Sequence, residues 1–175
     1  PPPVMLTIHN LAYQGIFAAS AFPLTNLPVS WFNPGTVEFY GAMNCLKAAI
    51  ATADVITTVS PRYAREITTE EFGCGLDGLL RHRLHVLHGV LNGVDYEEWN
   101  TTKNPHLSFR YSATSLTGKS KNRAALRREL GLPNLTKVPL FGAVTRLAEQ
   151  KGVDLLIPAL EEMLSRPLQF VLLGS

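Results

Sequence analysis

Residues 138–156 read as strand, basic loop and helix in immediate succession, and this order constrains the fold more than any other stretch. The run VPLFGAV at 138–144 is short and apolar with β-branched and aromatic members, as in a strand buried on both faces of a parallel sheet. TRLAEQKG follows as a loop, and VDLL opens a helix near Gly152 or Val153. Similar apolar runs stand at 4–8, at DVITTV in 54–59, within HVLHGVLNGVD at 85–95, and at FVLLGS in 170–175. Helical patterns separate them, so the fold class is α/β with parallel sheets.

The loop of 145–152 carries chemistry. Arg146 offers a planar fork, Lys151 a point charge, and the helix start adds unpaired backbone N–H groups at its positive end. Polyphosphates of α/β proteins sit at the carboxyl ends of parallel strands, so one reading is a phosphate or diphosphate seat. The other is a solvated turn with two ordinary basic residues, and this loop alone weighs the two evenly.

Helices are expected over 36–52, where Phe39, Met43, Leu46 and Ile50 recur at three-and-four spacing, and over 115–130, where Gly131-Leu132-Pro133 gives a glycine-then-proline stop. Residues 20–35, crowded with proline and asparagine, read as loop. A shorter helix is expected from Pro61, capped by Ser60. Pro158 falls inside LLIPALEEML, where it removes a donor and crowds the carbonyl of Asp154; a kink or a late helix start follows. Residues 96–111 are polar, aromatic and aperiodic, and read as a crossing between domains.

Several function classes drop out. A net charge of +2 over 175 residues, without a basic stripe carrying interleaved aromatics, argues against nucleic acid. No apolar run is long enough to span a membrane. Cys45 and Cys74 are too few for a disulfide framework and read as free thiols. His82, His85 and His88 cross from helix into strand, so their side chains diverge and make no metal site. Gly73, Gly75 and Gly78 lack the Lys-Ser/Thr of a phosphate-binding P-loop, and Glu70-Glu71 and Glu161-Glu162 are sequence neighbours that point apart. His9 follows a strand and could donate to sugar hydroxyls, with the Tyr13 ring and the Gln14 amide close by; a histidine capping local backbone is the blander reading and outweighs it on position alone. Asn92-Gly93 is a post-strand turn that needs no ligand to explain it.

Five segments in order, TIHNLAYQG at 7–15, ADVITTVSPRYAREI at 53–67, EFGCGLDGLL at 71–80, LNGVDYEEWN at 91–100 and TRLAEQKGVDLL at 145–156, resemble the bacterial glycogen synthase and plant starch synthase family. The resemblance implies parts of two Rossmann-like domains of a GT-B type glycosyltransferase: 1–95 as the C-terminal half of the first, acceptor-side domain, 96–114 as the crossing, and 115–175 as the N-terminal part of the nucleotide-sugar-binding domain. It implies retaining transfer of glucose from ADP-glucose to the non-reducing end of an α-1,4-glucan. On that match Arg146 and Lys151 hold the donor diphosphate with the Gln150 amide beside them. His9 and Asn92 face the donor glucose, and Tyr13 and Gln14 are candidate sugar or acceptor contacts. His9, Arg146 and Lys151 are thereby the candidate catalytic residues. No metal and no cofactor is implied; the partners are a nucleotide sugar and an α-glucan.

The family's lysine-glycine-glycine loop has no counterpart before Pro1, and the acidic residue of its second domain would lie beyond Ser175, so the chain reads as an internal piece, inactive and marginally folded by itself. The compartment expected is a bacterial cytoplasm, or a plastid stroma for a plant or algal source. Two alternatives stay open: a related transferase with another donor or acceptor, such as UDP-glucose or a sucrose-type acceptor, and a non-catalytic glucan- or nucleotide-binding module.

Overall fold

The computed structural model describes residues 2–175. The chain divides into two compact units, Pro1–Gly93 and Val94–Ser175.

Among the described residues the first unit holds, in chain order, β1 (Met5–Ile8), β2 (Ile16–Ala18), β3 (Glu38–Phe39), β4 (Ala42–Asn44), α1 (Cys45–Thr52), β5 (Val55–Thr58), α2 (Pro61–Glu66), α3 (Asp77–His82) and β6 (Leu87–Gly89). β1, β5 and β6 form a parallel sheet in that order. Its core is Ile8, Leu11, Ile50, Ile56, Ile67, Leu76 and Leu80, each at most 2% exposed. Complete burial of such a side chain contributes about 1.5–3 kcal/mol, so this cluster is the main apolar support of the unit.

The α/β class with parallel sheets holds, and the details differ from expectation at several points. β2, β4 and β3 form a second sheet that is antiparallel, so the unit is not built from parallel pairing alone. The helix expected over 36–52 begins only at Cys45, because Tyr40 and Gly41 take positive φ and turn the chain into a β3–β4 hairpin. Asn44 then starts the helix: its side chain accepts from the Lys47 backbone N–H at 2.9 Å. The apolar spacing survives the change, since Met43 and Ile50 are both buried. Residues 20–35 are also more regular than expected, with 3₁₀ turns at Ala19–Thr25 and Val29–Trp31.

The second unit contains α4 (Thr117–Glu129), β7 (Leu140–Val144), α5 (Val153–Leu164) and β8 (Gln169–Leu173), with β7 and β8 parallel and in register from Leu140↔Gln169 to Val144↔Leu173. Gly131 ends α4 at φ +66° and α5 begins promptly at Val153, running through Pro158. Among the described residues β7 pairs with β8 alone, and Phe141 is 45% and Val144 82% exposed. The buried centre is polar instead. Arg127, 1% exposed, donates from Nε to Gln169 Oε1 at 2.6 Å and from an Nη to the Val138 carbonyl at 2.5 Å, while Gln169 Nε2 donates to the Pro133 carbonyl at 2.9 Å.

Candidate functional site

In the first unit the carboxyl ends of the parallel strands share one edge. Ile8, Thr58 and Gly89 lie side by side in register, so the segments leaving β1 and β6 depart from the same rim, about 10 Å apart across β5. His9 follows β1 immediately and is exposed; Asn92 stands three residues past β6 and is exposed too. Thr58 ties the rim together, its hydroxyl donating to the Ile8 carbonyl at 2.8 Å and its carbonyl accepting from the Val90 N–H at 2.8 Å. β6 can approach this closely because residue 89 is glycine: a Cβ there would stand 2.3 Å from the Ser60 carbonyl oxygen. Ser60 itself caps α2, accepting from the Tyr63 N–H at 2.9 Å.

The loop after β1 is held from within. Asn10 accepts the Ala12 N–H at 3.1 Å, and the Tyr63 hydroxyl accepts the Leu11 N–H at 3.0 Å. Tyr13 projects outward, 68% exposed. Gln14 does not. It is 6% exposed, receives Asn44 Nδ2 on Oε1 at 2.6 Å and donates through Nε2 to the Cys74 carbonyl at 3.0 Å. A sugar contact by Gln14 is therefore corrected: its amide is spent joining three segments, the 9–15 loop, the start of α1 and the glycine-rich turn at 73–75. Asn44, fully buried at the middle of this bridge, was missed from the sequence, although asparagine before the helical run CLKAAIAT is an N-cap signal.

In the second unit Arg146, Gln150 and Lys151 lie on the loop between β7 and α5, all exposed. Among the described residues neither the Arg146 nor the Lys151 side chain is engaged in a hydrogen bond or ion pair, which leaves both cations available to an anion. A 3₁₀ turn over Glu149–Lys151 shapes the loop, and Gly152 at φ +73° leads into α5, whose first turn carries Asp154. The loop is anchored at its start, where the Leu147 N–H donates to the Ser175 carbonyl at 3.1 Å. Among the described residues no three of His, Cys, Asp and Glu gather in a metal-binding set, and no helix is long and apolar enough to cross a membrane. Cys45 and Cys74 are free and exposed.

Comparison with known proteins agrees with this architecture. Residues 1–82 match the family model of the starch synthase catalytic domain. A glycogen synthase of Anaeromyxobacter sp. (strain Fw109-5) is 54% identical over 98% of this chain and 36% of its own length. Glycogen synthase 2 of Geobacter sulfurreducens is 50% identical over 98% of this chain and 35% of its own. The catalytic domain of starch synthase IV from Arabidopsis thaliana, solved bound to ADP and acarbose, superposes with a TM-score of 0.91 at 38% identity, covering 98% of this chain and 36% of that one. The chain thus spans about a third of the length of the relatives it matches. With rim and sequence in agreement, the chain resembles a segment of bacterial glycogen synthases and of a plant starch synthase catalytic domain over 98% of its length, and its fold is the corresponding part of a GT-B fold.

Proposed function

We propose that a protein of its relatives' length carrying this chain is a retaining glucosyltransferase that moves glucose from ADP-glucose to the non-reducing end of an α-1,4-glucan. The observation that carries the reading is the match of 98% of the chain to a catalytic domain bound to ADP and acarbose. His9 and Asn92, leaving one sheet rim, face the donor glucose. Arg146 and Lys151 hold the diphosphate, and Gln150 lends an amide beside them. Tyr13 is the exposed ring of the 9–15 loop, suited to a sugar or acceptor contact, while Gln14 keeps that loop in place.

The residue chemistry fits the step. As the glycosidic bond to the diphosphate breaks, negative charge builds on the departing oxygens, and fixed positive groups stabilise it. Arg146 and Lys151 are exposed and unengaged among the described residues. No glycosidase-like pair of carboxylates is required, because the diphosphate is already a good leaving group and its own oxygen can take the acceptor proton. The proposed reaction calls on no metal or cofactor, and the proposed compartment, from the bacterial relatives, is the cytoplasm.

The test is ADP release from ADP-glucose with glycogen as acceptor, with UDP-glucose as a parallel donor. Acceptor-dependent release that falls by ~10²-fold or more in Arg146→Ala is expected, the scale for one lost preorganised electrostatic contact. A folded parent that releases no ADP, or prefers UDP-glucose, overturns the assignment.

A further inference from the structure

The β3–β4 hairpin carries a residue that neither its backbone nor the core explains. Phe39 pairs with Ala42, so Tyr40 and Gly41 alone make the turn, with φ of +49° and +80°. Positive φ at both central positions is the type I′ requirement, met at low strain by Asn-Gly or Gly-Gly and poorly by a bulky side chain. Tyr40 is also 87% exposed, so its ring contributes almost nothing to burial. A strained, exposed aromatic is retained where the surrounding structure over-determines it, commonly at a ligand contact.

Its surroundings form a shallow surface depression, largely open to solvent, lined by Glu38, Phe39, Tyr40, Lys47 and Gly75. Phe39 meets the Tyr40 ring edge to face, centroids 4.7 Å apart, which fixes the orientation of the exposed ring. Gly75 leaves Phe39 room: a Cβ there would stand 3.1 Å from its ring. Glu38 accepts the Gly41 N–H on Oε1 at 2.7 Å, and Oε2 has no partner among the described residues. Lys47 donates to the Pro34 and Glu38 carbonyls, holding the hairpin base. One carboxylate and one ammonium leave this depression close to neutral, and a free carboxylate oxygen repels phosphate. The combination of an exposed ring face, a fixed acceptor and no net charge suits a neutral polyol whose C–H face stacks and whose hydroxyls donate.

We propose that the tip of the β3–β4 hairpin is a saccharide subsite, in which Tyr40 stacks against a pyranose ring of an α-glucan and Glu38 Oε2 accepts its hydroxyls. The choice of α-glucan rests on the function proposed above; the subsite itself rests on the hairpin.

The experiment compares the parent protein with Tyr40→Asn and Tyr40→Phe, measuring maltoheptaose affinity by calorimetry, the urea midpoint, and ADP release with glycogen. Asparagine suits the turn, so Tyr40→Asn is expected to keep or raise the urea midpoint while weakening maltoheptaose about fivefold or more, the scale of one lost aromatic contact. Tyr40→Phe keeps the ring and is expected to retain most of the affinity. Unchanged maltoheptaose affinity in Tyr40→Asn overturns the subsite, as does an equal loss of affinity for ADP. A parent that transfers glucose while Tyr40→Asn binds glucan normally sinks the subsite alone; a folded parent that transfers none sinks the proposed function.

Discussion

Gln169→Leu isolates a buried positive charge, and the consequences can be worked from the distances around it. Arg127 is 1% exposed, and its guanidinium is held among neutral acceptors: Gln169 Oε1 at 2.6 Å and the Val138 carbonyl at 2.5 Å. Leucine removes the first acceptor and also the donor to the Pro133 carbonyl. A hydrogen bond to a charged group is worth about 1.5–3 kcal/mol, and leaving the other partner buried and unmet adds to the loss. The expected destabilisation of the Val94–Ser175 unit is about 2–4 kcal/mol, a large share of an ordinary domain's stability. Replacing both members, Arg127→Met with Gln169→Leu, removes the charge along with its partner and is expected to recover about 1–3 kcal/mol of that loss. Native-state amide exchange reads this locally: protection of α4 and β7 should fall on the order of 10²-fold in the single variant and return partway in the double. Protection unchanged in Gln169→Leu, or a double variant no more protected than the single, refutes the claim that a buried charge organises this unit.

Other perturbations follow from close approaches and from the Gln14 bridge. At Gly118 a Cβ would lie 1.9 Å from the Arg110 carbonyl oxygen, so Gly118→Ala should displace the start of α4 and lower the urea midpoint; at Gly78, within α3, the nearest atom is 3.8 Å away, so Gly78→Ala should be neutral or stabilising by up to ~1 kcal/mol. Equal midpoints for the two would contradict the packing. Asn44→Ala removes both the α1 cap and the donor to Gln14, and about 2 kcal/mol of destabilisation is expected in urea unfolding, with faster exchange of the Lys47 amide. Normal stability in that variant would mean that the bridge holds nothing.

Much of the candidate site is legible in the residues because its signals are local. A post-strand histidine, a post-strand Asn-Gly turn and a basic loop before a helix each occupy a few consecutive residues, and the structure shows His9, Asn92, Arg146 and Lys151 exposed on loops at strand ends. The inward side of the site is not legible in this way. Whether Gln14 faces a ligand or the interior depends on Asn44, thirty residues away, and on the Cys74 carbonyl, sixty away. The residues in isolation carry no information on that choice.

The same division runs through the fold. The sequence by itself determined which runs become β1, β5, β7 and β8, the stop of α4 at Gly131, and the burial of Met43 and Ile50, because apolar identity and turn chemistry act over one or two turns of chain. Tertiary structure decided how those runs are used. The spacing of Phe39, Met43, Leu46 and Ile50 suits a helix, yet pairing of β4 with β2 and β3 converts its first half into strand and turn. It also decided that the buried centre beside VPLFGAV is an arginine. Sheet partners and burial are settled by contacts far apart in sequence, and a local pattern is compatible with several of them.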